Sequence, residues 1–70
     1  MERDYVESKM IRSYGFDSLT STLEVEFNNG AIWQYFDVPE NLYYEMKASS
    51  SCGKFFNANI RDHYSESRIG

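Results

Sequence analysis

Cysteine, proline and basic side chains are what this 70-residue chain has least of: one Cys, one Pro, and seven Lys and Arg against eleven Asp and Glu. A lone Cys52 cannot form an internal disulfide, which agrees with a reducing compartment. Cys52 and His63 together fall short of the four ligands a structural zinc needs. No metal and no cofactor is therefore expected, and stability must come from packing. Long apolar runs are missing as well, the longest being two or three residues such as Ala31-Ile32-Trp33, whereas a membrane span needs ~20. The start, Met1-Glu2-Arg3-Asp4-Tyr5, lacks the basic and apolar regions of a secretory signal, so the expected location is cytoplasmic and no membrane partner is expected. A net charge of −4 opposes tight non-specific binding to a nucleic-acid backbone.

The chain contains no internal repeat and no Pro/Gly-rich linker, and its length suits one hydrophobic core, so residues 1–70 read as a single domain. Aromatic residues make up 17%, and each buried ring covers roughly 150–250 Å². The expected core is aromatic and spans about residues 6–64, with frayed polar ends.

The first half reads as strands. Residues 10–14 are β-prone, and Gly15 with Asp17-Ser18 marks a bend. Residues 20–27 alternate, with Leu23, Val25 and Phe27 on one side and Thr22, Glu24 and Glu26 on the other, the period of a half-buried strand. Asn28-Asn29-Gly30 tolerates positive φ, and residues 31–36 resume the β pattern, so the two runs form a hairpin. A two-residue loop would set Val25 opposite Gln34. A three-residue loop with Gly30 left-handed sets Phe27 opposite Ala31, Val25 opposite Trp33 and Leu23 opposite Tyr35. The second register is preferred because it alone makes one face wholly apolar. The opposite face, with Glu24, Glu26, Gln34, Ile32 and Phe36, should then be solvated.

After Phe36 the period changes. Asp37 is a candidate cap, Pro39 suits a first turn, and Glu40 completes a capping box. A helix to about Ala48 would pack Val38, Leu42 and Met46, with Tyr43 beside them. The cluster Ser49-Ser50-Ser51 reads as a joint, and Ser50 or Ser51 caps a second, shorter helix with Phe56, Ile60 and Tyr64 at four-residue intervals. The expected fold is α+β: a three-stranded antiparallel β-meander followed by two short helices packed on one face.

Leu23-x-Val25-x-Phe27-x-x-Gly30, Trp33-x-Tyr35, Val38-Pro39 and Ser51-x-Gly53-x-Phe55-Phe56-Asn57-x-x-Ile60-Arg61-x-x-Tyr64, in that order, resemble the KTSC domain. That domain occurs at the C-terminal end of some lysyl-tRNA synthetases and in stand-alone small bacterial proteins. The family's central Tyr-x-Tyr is Trp33-Gln34-Tyr35 here, which keeps an aromatic and loses a phenol. Attachment to a tRNA-charging enzyme implies RNA as a partner.

Several residues carry candidate chemistry. Residues 46–64 hold Lys47, Lys54, Arg61 and His63 against Asp62 alone, so an anionic partner would dock on the second half. Ser51, Gly53 and Lys54 open the second helix, where free amides and the helix dipole favour an anion. Plain serine capping with close packing at Gly53 is the alternative. Asn57 and Arg61 lie one helical turn apart, and Arg61 could clamp a phosphate or tie the helix to Asp62, Glu45 or the acidic strand face. Trp33 and Tyr35 form either a base-stacking platform or, in the preferred register, part of the core. Cys52 and His63 lack a third orienting residue, so nothing points to catalysis. The expected function is a non-catalytic binding module for RNA. The alternative is a protein-interaction or homodimer module built on an exposed edge strand near Ile11 and a surplus of rings.

Overall fold

The computed structural model describes residues 1–70. It is α+β, with a five-stranded antiparallel sheet in the order β1-β2-β3-β4-β5 and two helices inserted before the last strand. The strands are β1 (Asp4–Tyr5), β2 (Ile11–Asp17), β3 (Thr22–Phe27), β4 (Ile32–Tyr35) and β5 (Glu66–Arg68); the helices are α1 (Glu40–Ala48) and α2 (Cys52–Asn59). Three strands were expected. The additional two are the short edge strands at the ends expected to fray: Asp4 pairs with Tyr14, and Glu66 with Tyr35. Beyond β5, the Ile69 amide donates to the Ile32 carbonyl at 2.8 Å.

The central hairpin follows from its loop. Leu23 pairs with Tyr35, Val25 with Trp33 and Glu26 with Ile32, and the Gly30 amide donates back to the Phe27 carbonyl with Gly30 at φ +91°. Only a left-handed residue closes a three-residue loop in this way, and glycine adopts that conformation without a Cβ penalty. The apolar face so formed carries Leu23, Val25 and Tyr35, all buried, against Val38, Met46, Phe56 and Ile60 from the helical half. Phe56 centres the packing, meeting Tyr35 edge-on at 5.2 Å and Phe27 at 5.5 Å between ring centroids.

Strand β2 reaches this core through an irregularity. Ile11 pairs with Phe27 but Ser13 pairs with Glu26, so Arg12 is an extra residue on β2. A bulge of this kind resets the side-chain alternation. It lets Ile11 and Tyr14, three residues apart, both enter the core, while Arg12 stays exposed.

Gly15 lies within β2 instead of bending it, because the N-terminal segment crosses directly above it. A Cβ on Gly15 would collide with the Glu2 carbonyl oxygen. The crossing brings Arg3 over the outer face of the sheet, where its guanidinium pairs with Glu24 and its Nε donates to Ser13 Oγ at 3.0 Å. Ser13 donates on to Glu26 at 2.9 Å, and Gln34 Nε2 to the second oxygen of Glu24 at 2.9 Å. Glu24, expected in solvent, is only 6% exposed. The edge expected near Ile11 is likewise not free, since β1 lies along β2 and the Val6 amide donates to the Arg12 carbonyl.

The first helix departs from its expected start. Asp37 does not cap it: Asp37 takes a left-handed φ of +58°, and Pro39 occupies the cap position without a side-chain bond. The tight turn at Asp37 sends Val38 into the core, fully buried, with its amide donating to the Ser21 carbonyl. Burying a whole valine side chain is worth more than one exposed cap. The second helix starts as expected, with Ser51 Oγ accepting from the Lys54 amide at 3.3 Å. It ends earlier, at Asn59, so Tyr64 lies beyond the helix on the following turn.

The outer network makes a direct prediction. Gly15→Ala should displace the N-terminal segment at a cost of about 2–3 kcal/mol. Arg3→Ala should cost about 3 kcal/mol by leaving Glu24 buried and unpaired. Either change lowers the melting temperature by roughly 10 °C or more in a domain of this size. Urea titrations followed by circular dichroism measure both, and wild-type midpoints would show that the crossing carries no stability.

Candidate nucleic-acid interface

Two clefts flank the short loop joining β1 to β2. That loop is shaped by Ser8, whose Oγ accepts from the amides of Met10 and Ile11. It is also tied to the β3–β4 hairpin, because Asn28 Nδ2 donates to the Ser8 carbonyl at 2.9 Å and the Asn28 amide to the Met10 carbonyl. Lys9 and Met10 thus form a fixed ridge that lines both clefts.

The first cleft, of about 580 Å³, lies between this ridge and the start of α2. Ser51, Gly53, Lys54 and Asn57 all line it, so four of the five residues singled out as an anion site converge. Ser51 is used as the helix cap, as the structural alternative required. Gly53 is buried, and a Cβ there would meet Ser8 Oγ at an ordinary 3.4 Å. Asn57 Nδ2 points towards Met10 Sδ at 3.8 Å. The amides of Cys52 and Gly53 make no hydrogen bond, as helix geometry dictates for a first turn.

Two further cations reach the same cleft: Lys9 from the ridge and Lys47 from the last turn of α1. Sequence reading did not connect them, because 45 positions separate Lys9 from Lys54 and only the sheet brings them together. Lys47 lies 5.3 Å from the centre of the Tyr43 ring and 4.0 Å from Asp4, an exposed pair that solvent screens. Glu7 is the single acidic residue lining this cleft.

Arg61, the fifth candidate, faces a second cleft of about 620 Å³ beyond the ridge. It is exposed and has no carboxylate within ion-pair distance; the acidic strand face takes Arg3 instead. Trp33 lines the same cleft and is half-buried, whereas Tyr35 is 2% exposed. A two-ring platform is therefore not formed. Tyr35 belongs to the core, and Trp33 alone offers part of its surface.

Cys52 and His63 do not meet. Cys52 opens α2 and lines the first cleft, while His63 lies in the turn beyond the far end of a helix roughly 12 Å long. No three His, Cys, Asp or Glu side chains converge as metal ligands, and no helix is long and apolar enough to cross a membrane.

With the strand order, the ridge and both clefts defined, comparison with known proteins is decisive. The sequence profile of the KTSC domain matches residues 7–64. The chain belongs to the KTSC domain family. The crystal structure of a KTSC domain protein from Yersinia pestis superposes with a TM-score of 0.95 at 32% identity, covering 99% of this chain and 97% of that one. An uncharacterized protein of Stutzerimonas stutzeri is 36% identical over 70 residues, 99% of each chain. A lysine–tRNA ligase of Trichormus variabilis is 33% identical over 58 residues, 83% of this chain but 10% of the ligase. The KTSC fold is thus found both as a small protein and as a minor part of a much larger one.

Burial also marks the floor of the first cleft. The Tyr14 hydroxyl is pushed up to about 12, chiefly by its removal from water, with Cys52, Tyr43 and Asp4 adding smaller contributions. Tyr35 shifts in the same direction, through burial and then its cross-strand neighbour Glu66. Above pH 10 the unfolded chain releases these protons while the folded chain retains them, so stability falls between pH 10 and 12. Tyr14→Phe should reduce that loss. Urea midpoints at pH 9 and pH 11.5 test it, and an equal fall in both proteins would rule out a contribution from Tyr14.

Proposed function

We propose that this KTSC domain is a non-catalytic cytoplasmic module that binds single-stranded RNA through its lysine-lined cleft. The observation that carries the reading is the convergence of Lys9, Lys47 and Lys54, from three separate segments, around the unbonded amides that open α2. Helix-start amides and nearby ammonium groups favour phosphate together. A chain of net charge −4 would ordinarily repel such a ligand. Here Glu24 and Glu26 project from the opposite side of the sheet, and Glu24 is neutralised by Arg3. At the cleft itself three lysines outnumber Glu7 and the Asp4 carboxylate beside Lys47, an excess of positive charge that favours an anion there. Occurrence of a similar stretch in lysine–tRNA ligase, a protein named for its tRNA, supports the choice of RNA over other polyanions.

Lys54 and Arg61 are exposed and make no ion pair, so their removal should leave the fold intact. Lys54→Ala is expected to weaken single-stranded RNA binding roughly five-fold at low salt and to reduce the slope of log K against log salt by about 0.7, whereas Arg61→Ala, on the second cleft, should weaken binding with little change of slope. Melting temperatures should stay at the wild-type value. Fluorescence anisotropy across a salt series measures the effect, and a low-salt titration that perturbs no amide signal in residues 50–64 would defeat the proposal.

A further inference from the structure

Resting on the RNA reading, we infer that the second cleft seats one unstacked base of the bound strand and favours a base that carries an amino group over uracil. The two clefts differ in kind. The first is lined by three lysines and Glu7 among serines and aliphatic side chains, whereas the second sets the half-buried rings of Phe27 and Trp33 among side chains of both charges. A phosphate gains nothing from aromatic rings, and an aliphatic ligand gains nothing from the charged side chains. A nucleobase matches both, since it has a flat π face and an edge of donors and acceptors.

The charged side chains carry the preference. Asp62 and Glu66 line this cleft together with Lys9 and Arg61. Their carboxylates turn a phosphate away, which directs the backbone to Lys9, the cation shared by both clefts, and leaves only the base to enter. Carboxylate oxygens accept from exocyclic amines, as at cytosine N4, and adenine and guanine also carry amino donors. Uracil offers the carboxylates a single N3–H donor flanked by two carbonyl oxygens that repel them, so it pairs with them less well than an exocyclic amine does. The carboxylates are also held in place. Asp62 is fixed at φ +65° by the turn that closes α2, in which the Arg61 amide donates to the Phe56 carbonyl and the His63 amide to the Ile60 carbonyl. Glu66 is anchored by strand pairing opposite Tyr35.

Trp33 is the only tryptophan in the chain, so its emission reports on this cleft and nowhere else. The test titrates the intact protein at low salt with end-labelled oligouridine and with the same strand carrying one central adenosine or cytidine. Label anisotropy measures strand binding, and Trp33 emission measures occupation of the seat. The substituted strands should bind about five-fold more tightly and quench Trp33. Glu66→Gln, at an exposed edge position, should bring the two kinds of strand towards equal affinity. Anisotropy that rises equally for all strands, or rises without a change in Trp33 emission, overturns the base seat and leaves RNA binding standing. No rise in anisotropy for any strand removes RNA binding itself, and the base seat with it.

Discussion

Glu24 lies in the middle strand of the sheet, and a carboxylate so nearly removed from water is tolerated because the Arg3 guanidinium lies against one oxygen and Gln34 donates to the other. That pairing dictates the course of the N-terminus. To deliver Arg3, the chain must cross the outer face above Gly15, where no side chain fits, and then lie along β2. Once β1 is seated, the loop that follows has little freedom. Ser8 and Asn28 pin it, and Lys9 is held between the two clefts. A structural ion pair on one side of the sheet therefore sets the position of Lys9 on the other.

What could be read in the residues divides along the range of the forces involved. The hairpin register was legible because a left-handed Gly30 and an apolar alternation are local, and both demanded the same pairing. Ser51 as a helix cap was legible for the same reason. The edge strands were not. Asp4–Tyr5 and Glu66–Arg68 have no apolar pattern, all five residues are exposed, and their extended form is imposed by the unpaired backbone groups of β2 and β4. Asp37 misled because its type suits both a cap and a left-handed turn, and burial of Val38 decided between them.

The candidate site was legible only in part. Ser51, Gly53, Lys54 and Asn57 are neighbours in sequence, so a helix start already groups them. Lys9 and Lys47 come from other elements and carry no motif that would join them to that group. Arg61 was grouped with Asn57 by helical spacing, but α2 ends at Asn59 and the following turn swings Arg61 to the other side of the ridge. The helix ends five residues short of Tyr64, and that boundary moves Arg61 from the lysine-lined cleft to the one that holds Phe27 and Trp33.

The same displacement gives the two clefts a common logic. If α2 ran on past Arg61, every cation of residues 46–64 would serve one anion site, and the half-buried face of Trp33 would have no charged partner. Because the helix stops, the exposed cations are shared between a cleft rich in lysine and one that mixes both signs around rings. Separate seats for phosphate and base are what an unpaired strand requires, since its bases are free to turn away from its backbone. A duplex keeps its bases stacked inward and would engage only the first. On the proposed RNA reading, the early end of α2 is what lets a single strand reach both clefts at once.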